Sequence, residues 1–303
     1  VIKSDKSGVI AIKSGFACLI GRPNVGKSTL LNQFVGHKVA IVSDKPQTTR
    51  NRILGILTTE DAQAVFIDTP GIHKPRHKLG AIMTRLAQET LEEVDLGIYV
   101  ADASVYSGSG EEYILKQLQG ISTPVILVLN KIDLIKKQEL LPMIDWFSKR
   151  YKFRDIIPVS ALTAENLDSL KEAIAGSLKE GPFFYPAEMV TDQPENFVAS
   201  EIIREKVLQL TREEIPHAVA VVIENMQERE NGLLDLNAVI YVERDSQKGI
   251  IIGRGGRMLK EIGRRARQEL EAIFGNKIYL QLWVKVKKSW RDDETALRSF
   301  GYD

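Results

Sequence analysis

The stretch Phe16-Ala17-Cys18-Leu19-Ile20-Gly21-Arg22-Pro23-Asn24-Val25-Gly26-Lys27-Ser28-Thr29-Leu30-Leu31 decides the fold. An apolar run enters a glycine-rich turn, the turn closes on a lysine and a hydroxyl, and a helical apolar pattern follows. This is the phosphate-loop pattern in the strand–loop–helix context that it requires. Its glycines let backbone N–H groups curl around phosphate oxygens, and the helix start adds its dipole. Lys27 supplies a fixed positive charge, and Ser28 offers an oxygen to Mg²⁺.

Outward from that loop, short strand-like runs recur at 16–20, 53–57, 64–67, 96–101, 125–129 and 156–159. Helical patterns such as 83–93 and 169–178 fall between most of them. The alternation predicts an α/β domain with an open, mostly parallel sheet and helices on both faces. Too few residues separate the second and third runs for a crossover helix, so they should form an antiparallel hairpin. Cys18, the sole cysteine, excludes an internal disulfide framework and reads as a small buried strand residue in a protein of a reducing cytosol.

A proline-rich break follows at Gly181-Pro182 through Pro194. We therefore expect a nucleotide-binding domain over 10–181, a linker over 182–196 and a second, α+β domain over 197–303. The second part reads as helix 197–212, strands 218–227 and 233–244, a glycine turn with a helix from 253 to 274, and strand 278–287. In that last strand Ile278, Leu280, Leu282, Val284 and Val286 share one face. Trp283 and Trp290 read as packing residues.

The chain of 303 residues carries 41 basic and 40 acidic side chains, a net charge of +1. The balance conceals an asymmetry: from Asp245 to Arg291 there are twelve Lys/Arg against four acids. A basic end on a mildly acidic protein points to a polyanion partner there. The longest apolar run, the six residues 218–223, is far below the roughly 18–20 needed to cross a bilayer. No signal peptide is expected from the first residues.

Further motifs follow the strands in order. Asp68-Thr69-Pro70-Gly71 places a carboxylate where Mg²⁺ would sit and a Gly71 N–H near a terminal phosphate. Asn130-Lys131-Ile132-Asp133 places a carboxylate that can accept from both N1–H and the exocyclic amine of guanine. Adenine offers no such pair, and an unpaired buried carboxylate would cost several kcal/mol, so GTP is selected over ATP. The stem of Lys131 can lie on the base, Asn130 can tie two loops together, and the Ala161 N–H of Ser160-Ala161-Leu162 can meet the guanine oxygen. The candidate nucleotide contacts are thus Gly21, Arg22, Asn24, Val25, Gly26, Lys27, Ser28, Thr29, Asp68, Gly71, Asn130, Lys131, Asp133, Ser160, Ala161 and Leu162.

In the second part, Gly253-Arg254-Gly255-Gly256 opens a helix and is flanked by Ile250, Ile251, Arg257 and Lys260. Bare glycines let a sugar–phosphate backbone approach a helix start, and the cations add charge. The element order α-β-β-α-α-β resembles a type II KH domain, whose loop clamps about four nucleotides of single strand. Ile250 and Ile251 are candidates for an apolar floor under the bases. Arg264, Arg265 and Arg267 are candidates to extend the track.

Taken together, these motifs resemble the Era family of bacterial GTPases, of the translation-factor-related class, which carry a C-terminal KH domain. The likeness spans both parts and includes the first switch stretch Pro46-Gln47-Thr48-Thr49-Arg50 and the motif Asp68-Thr69-Pro70-Gly71-Ile72. It implies that 48–50 and a second segment, 72–86, respond to the nucleotide and alter docking on the KH domain or the ribosome. It implies GTP/GDP and Mg²⁺ as cofactors, with Ser28, Thr49 and Asp68 as metal ligands and Thr48 as the rival to Thr49. It implies Lys27, Thr49 and Gly71 as catalytic residues, and a K⁺ ion at Asn24 as a further cofactor to test. Many GTPases place a glutamine after the Asp-x-x-Gly motif to orient the attacking water. Here that position is Ile72, so slow intrinsic hydrolysis is expected. The resemblance implies binding near the 3′ end of small-subunit (16S) rRNA, a role in 16S rRNA processing and small-subunit assembly, and a monomer in the cytoplasm. The alternatives are a GTPase peripherally associated with the inner face of the cell membrane, or an RNA chaperone in which turnover is incidental.

Overall fold

The computed structural model describes residues 12–45, 47–72, 77–105 and 108–302. Pro46 of the first switch stretch, residues 73–76 of the second, and the outermost ends of the two expected domains (10, 11 and 303) lie outside these ranges.

The first part contains β1 (Lys13–Ile20), α1 (Lys27–Val35), β2 (Ile53–Thr58), β3 (Ala62–Asp68), α2 (Lys78–Glu93), β4 (Leu96–Asp102), α3 (Ser109–Leu118), β5 (Val125–Asn130), α4 (Leu140–Ser148), β6 (Asp155–Pro158), α5 (Leu167–Ser177) and β7 (Lys179–Glu180). The sheet order is β2-β3-β1-β4-β5-β6, with β7 pairing the start of β1. All neighbours along the main path are parallel except β2 and β3, which form the expected antiparallel hairpin. The central strands are buried on both faces, which is why β5 reads as an unbroken apolar run. Alternate residues of β1 point to opposite sides. Ala17 and Leu19 join a core with Leu30, Leu31 and Phe34 of α1 and Leu170 and Ile174 of α5. Cys18 and Ile20 join one with Leu91 of α2, Ile114 of α3 and Phe147 of α4. Cys18 is fully buried, as expected, and burial pushes its thiol pKa up.

The second part contains α6 (Glu195–Leu210), α7 (Ile215–Ala218), β8 (Ala220–Glu228), β9 (Leu234–Val242), α8 (Asp245–Ile252), α9 (Arg257–Phe274), β10 (Ile278–Val286) and α10 (Glu294–Ser299). Its sheet order is β10-β9-β8, with β8 antiparallel and β10 parallel to β9. Helices α6, α8 and α9 cover one face through Ile203, Val207, Ile251, Ile262, Ala266 and Leu270.

Two readings need correction. Ile250-Ile251-Ile252 end helix α8, and helical periodicity turns Ile251 fully into the core while Ile250 stays half exposed. Ile251 therefore has no surface to offer a nucleic acid. Trp283 is 58% exposed on the outer face of edge strand β10, so it is not a packing residue. Trp290 is fully buried and donates its indole N–H to the Ala218 carbonyl at 2.9 Å.

The proline-rich segment packs against β2 and β3. Gln63 accepts from the Phe184 and Tyr185 N–H groups at 2.8 and 3.0 Å and donates to the Tyr185 carbonyl at 2.9 Å. The Ile56 N–H donates to the Val190 carbonyl at 2.9 Å, and the Thr191 hydroxyl to the Leu54 carbonyl at 2.6 Å.

Candidate nucleotide and RNA sites

The loop after β1 delivers its groups to the start of α1, whose first turn has no side-chain cap. Its N–H groups are thus presented to an anion. Gly26 has φ +100°, and a Cβ there would fall 2.2 Å from the Asn130 amide nitrogen, so only glycine fits. Lys27 is buried and donates to the Gly21 and Arg22 carbonyls at 3.3 and 3.0 Å. Burial lowers its pKa, while Asp68 and Glu111 oppose that shift. A cation held on weak carbonyl partners is poised for phosphate.

The three expected metal ligands meet. Ser28 Oγ donates to Asp68 Oδ2 at 2.6 Å and lies 2.9 Å from Thr49 Oγ1, which itself donates to Asp68 Oδ2 at 3.2 Å. Thr48 points elsewhere, donating its hydroxyl to the Lys45 carbonyl at 2.6 Å. Asp68 is fully buried, and its Oδ1 has no hydrogen-bond partner. Burial raises its pKa against the pull of Lys27 and the two hydroxyls. An orphaned carboxylate oxygen beside two hydroxyls suits a hard cation that also binds phosphate oxygens. The Ile72 N–H donates to the Gly21 carbonyl at 3.0 Å and ties the Asp-x-x-Gly turn to the phosphate loop. Gly71, Asn24, Thr29, Thr49 and Lys131 share a cavity of about 470 Å³ with the residues around Asp44.

At the base end, Asn130 Nδ2 donates to the Val25 carbonyl at 2.8 Å, and Asn130 Oδ1 accepts from the Ala161 N–H at 2.9 Å. One amide thus joins three loops, where a tie between two was expected. The Ala161 N–H, expected at the guanine oxygen, is given to Asn130 instead. Ser160 is buried and its hydroxyl accepts from the Thr163 N–H at 3.1 Å, while Leu162 is 75% exposed. Asp133 is exposed, and its side chain makes no hydrogen bond or ion pair within the described residues. Its carboxylate is available to a base. Arg22 is turned to Glu111 of α3 at 3.5 Å.

In the second part, Gly255 (φ +61°) and Gly256 (φ +75°) form a tight turn before α9, and a Cβ on either would meet open space. The surface at this point can receive a backbone. Gly256, Leu259, Lys260, Gly263, Arg264, Arg267, Leu280 and Leu282 line a groove of about 560 Å³. The apolar floor comes from Leu259, Leu280 and Leu282, because α9 packs over β10. Ile250 and Ile251 do not line it. Arg264 and Arg265 both pair with Glu261, whereas Arg254, Arg257 and Lys260, equally exposed, make no ion pair among the described residues.

The two sites are mechanically joined. Arg50 is 1% exposed and donates to the carbonyls of Val219 at 2.6 Å and Pro216 at 3.0 Å, with its guanidinium over the Trp290 and Tyr302 rings. Arg204 donates to the Thr48 carbonyl. Lys38 pairs with Glu205 and Glu269, and Lys206 pairs with the same two carboxylates. Leu79 and Met83 of α2 pack against Trp290, Leu297 and Tyr302. Both segments expected to respond to nucleotide are thus seated on the KH-like part. Docking on the KH domain or the ribosome was expected of these segments, but the individual partner residues were not legible in the sequence.

A phosphate loop, a carboxylate–hydroxyl metal site and a base-reading loop on this sheet define a guanine-nucleotide-binding P-loop protein, here fused to an RNA-binding module. Residues 16–131 match the family described as 50S ribosome-binding GTPase, and residues 214–291 match the KH domain family. The GTPase Era of Heliobacterium modesticaldum (strain ATCC 51547 / Ice1) is 58% identical over 292 residues, covering 96% of this chain and 98% of that protein. A crystal structure of an Aquifex aeolicus Era variant bound to GDP and AlF4⁻ is 43% identical with a TM-score of 0.92, over 96% of this chain and 99% of that one. A crystal structure of Era with MgGDPNP and nucleotides 1506–1542 of 16S ribosomal RNA is also 43% identical, with a TM-score of 0.93 and the same coverage. The chain belongs to the Era family of GTPases.

Proposed function

We propose that this GTPase is a slow, nucleotide-controlled switch that binds single-stranded rRNA near the 3′ end of the small-subunit rRNA. In this reading it assists 16S rRNA processing and small-subunit assembly, as a cytoplasmic monomer. The observation that carries the proposal is the seating of Thr48–Arg50 on the KH domain: Arg204 holds the Thr48 carbonyl while Thr49 reaches the metal site. A change at the metal therefore bears directly on the RNA-binding part. The relative solved with MgGDPNP and 16S rRNA nucleotides supports the choice of RNA.

Each residue has a definable task. Lys27 and the N–H groups of 26–29 bind the phosphates. Ser28, Thr49 and Asp68 would hold Mg²⁺, which when bound offsets charge on the phosphate oxygens. Gly71 presents an N–H beside the phosphate loop. Ile72 is 3% exposed and has no group to orient water, so intrinsic turnover is slow. Asp133 selects guanine. Asn24, whose amide donates to the Asp44 carbonyl at 2.6 Å, is the proposed K⁺ contact.

GTPase assays with and without a short RNA matching the small-subunit 3′ end, in K⁺ and in Na⁺, test this reading. RNA should raise turnover, and Na⁺ should lower it. Equal rates in all four conditions would remove both the coupling and the K⁺ contact. No described helix is long and apolar enough to cross a membrane. A peripheral contact through the basic segment would appear as liposome pelleting that RNA competes away.

A further inference from the structure

Asp102 ends β4 and stands in register with Asn130, which ends β5. Its Oδ1 accepts from the Ser104 N–H at 2.9 Å and from the Ser104 hydroxyl at 2.6 Å. Its Oδ2 pairs with Lys131 Nζ at 2.5 Å, and the Asp102 side chain is only 12% exposed. The same ammonium donates to the Asn24 carbonyl at 2.8 Å. Lys131 has φ +68°, a conformation that few non-glycine residues adopt. Its backbone is therefore fixed at one end and its ammonium at the other, and the four-carbon stem spans the gap between the phosphate loop and the base-reading loop. A lysine without a fixed anion would keep its rotamer freedom and lose it only on binding a ligand.

We propose that Asp102 is a positioning residue for the guanine site. It preorganises the Lys131 stem as the floor on which the base lies, and it steadies the Asn24 carbonyl of the phosphate loop. Among the described residues, Asp102 is the sole ion-pair partner of Lys131. The effect extends one bond further, because the Asn24 amide holds the Asp44 carbonyl, two residues before the first switch stretch. The proposal rests on guanine being read by Asn130–Asp133.

The test is release of a fluorescent GDP from the full chain. Asp102→Asn keeps shape and the Ser104 contacts but removes the charge, and should speed release about ten- to hundredfold. Asp102→Glu, which restores the charge, should recover part of that loss. On a Lys131→Met background Asp102→Asn should add less than about twofold, because its target is gone. A merely structural role would give the same factor on both backgrounds. Release from Asp102→Asn within about twofold of the parent chain, or full additivity with Lys131→Met, would overturn the proposal. If the Asn variant does not fold, Asp102→Glu in the same cycle decides the question. A parent chain that holds no GDP would instead sink the guanine reading itself.

Discussion

Arg50 donates to the Val219 carbonyl at 2.6 Å across 169 positions of chain, and its side chain is buried between the two parts. A guanidinium from the first switch stretch thus fills a carbonyl-lined socket at the start of β8. Arg50→Ala should cost about 2–4 kcal/mol in urea unfolding, since it leaves buried carbonyls without a donor. Arg50→Lys should recover only part, because an ammonium cannot serve several carbonyls in one plane.

The cluster of Lys38, Glu205, Lys206 and Glu269 predicts an acid-sensitive joint. Burial would raise the Glu269 pKa, but hydrogen bonds from Lys206 and Lys38 outweigh it and hold the carboxyl below its ordinary value. A depressed folded pKa contributes stability above the unfolded value, lost as pH falls through the folded one. The melting-temperature difference between the parent chain and Glu269→Gln should be full at pH 6 and shrink below about pH 4.3.

At the metal site, Thr49→Ala should weaken the triphosphate analogue at least about tenfold in calorimetry, because a hydroxyl bond to a charged site is lost. Thr48→Ala should leave metal-dependent affinity intact, since its hydroxyl serves Lys45. Equal losses for the two variants would reverse the assignment.

For the groove beside α9, Gly255→Asp or Gly256→Asp should abolish oligonucleotide binding by adding negative charge where a backbone must approach. Lys260→Ala should reduce the slope of log affinity against log salt by about 0.7, the release of roughly one counterion. Fluorescence anisotropy over a salt series measures both.

The phosphate loop, Asp68 and Asn130–Asp133 were legible because the chemistry demands those residue types at strand ends. The hairpin was legible because loop length alone forbids a crossover. Ile251 was misplaced because three successive isoleucines fit a strand as well as a helix end, and only packing against α6 and α9 separates them. Trp283 was misplaced because sheet edges are set by topology. Asp102 and Arg50 were invisible for another reason. Asp102 acts through a residue in the loop just past a neighbouring strand, and Arg50 through carbonyls that carry no side-chain signature.

The packing of residues 182–191 on β2 and β3 has a mechanical consequence. That ribbon travels with the GTPase domain, so it is no loose tether. The covalent pivot shrinks to Asp192–Pro194, immediately before α6. Any rearrangement of the RNA-binding half would turn about a point anchored beside the hairpin that follows the first switch, and the short pivot would keep it from drifting away. Its local concentration at that surface stays high through every turnover, and severing Gln63 from the ribbon should lengthen the leash.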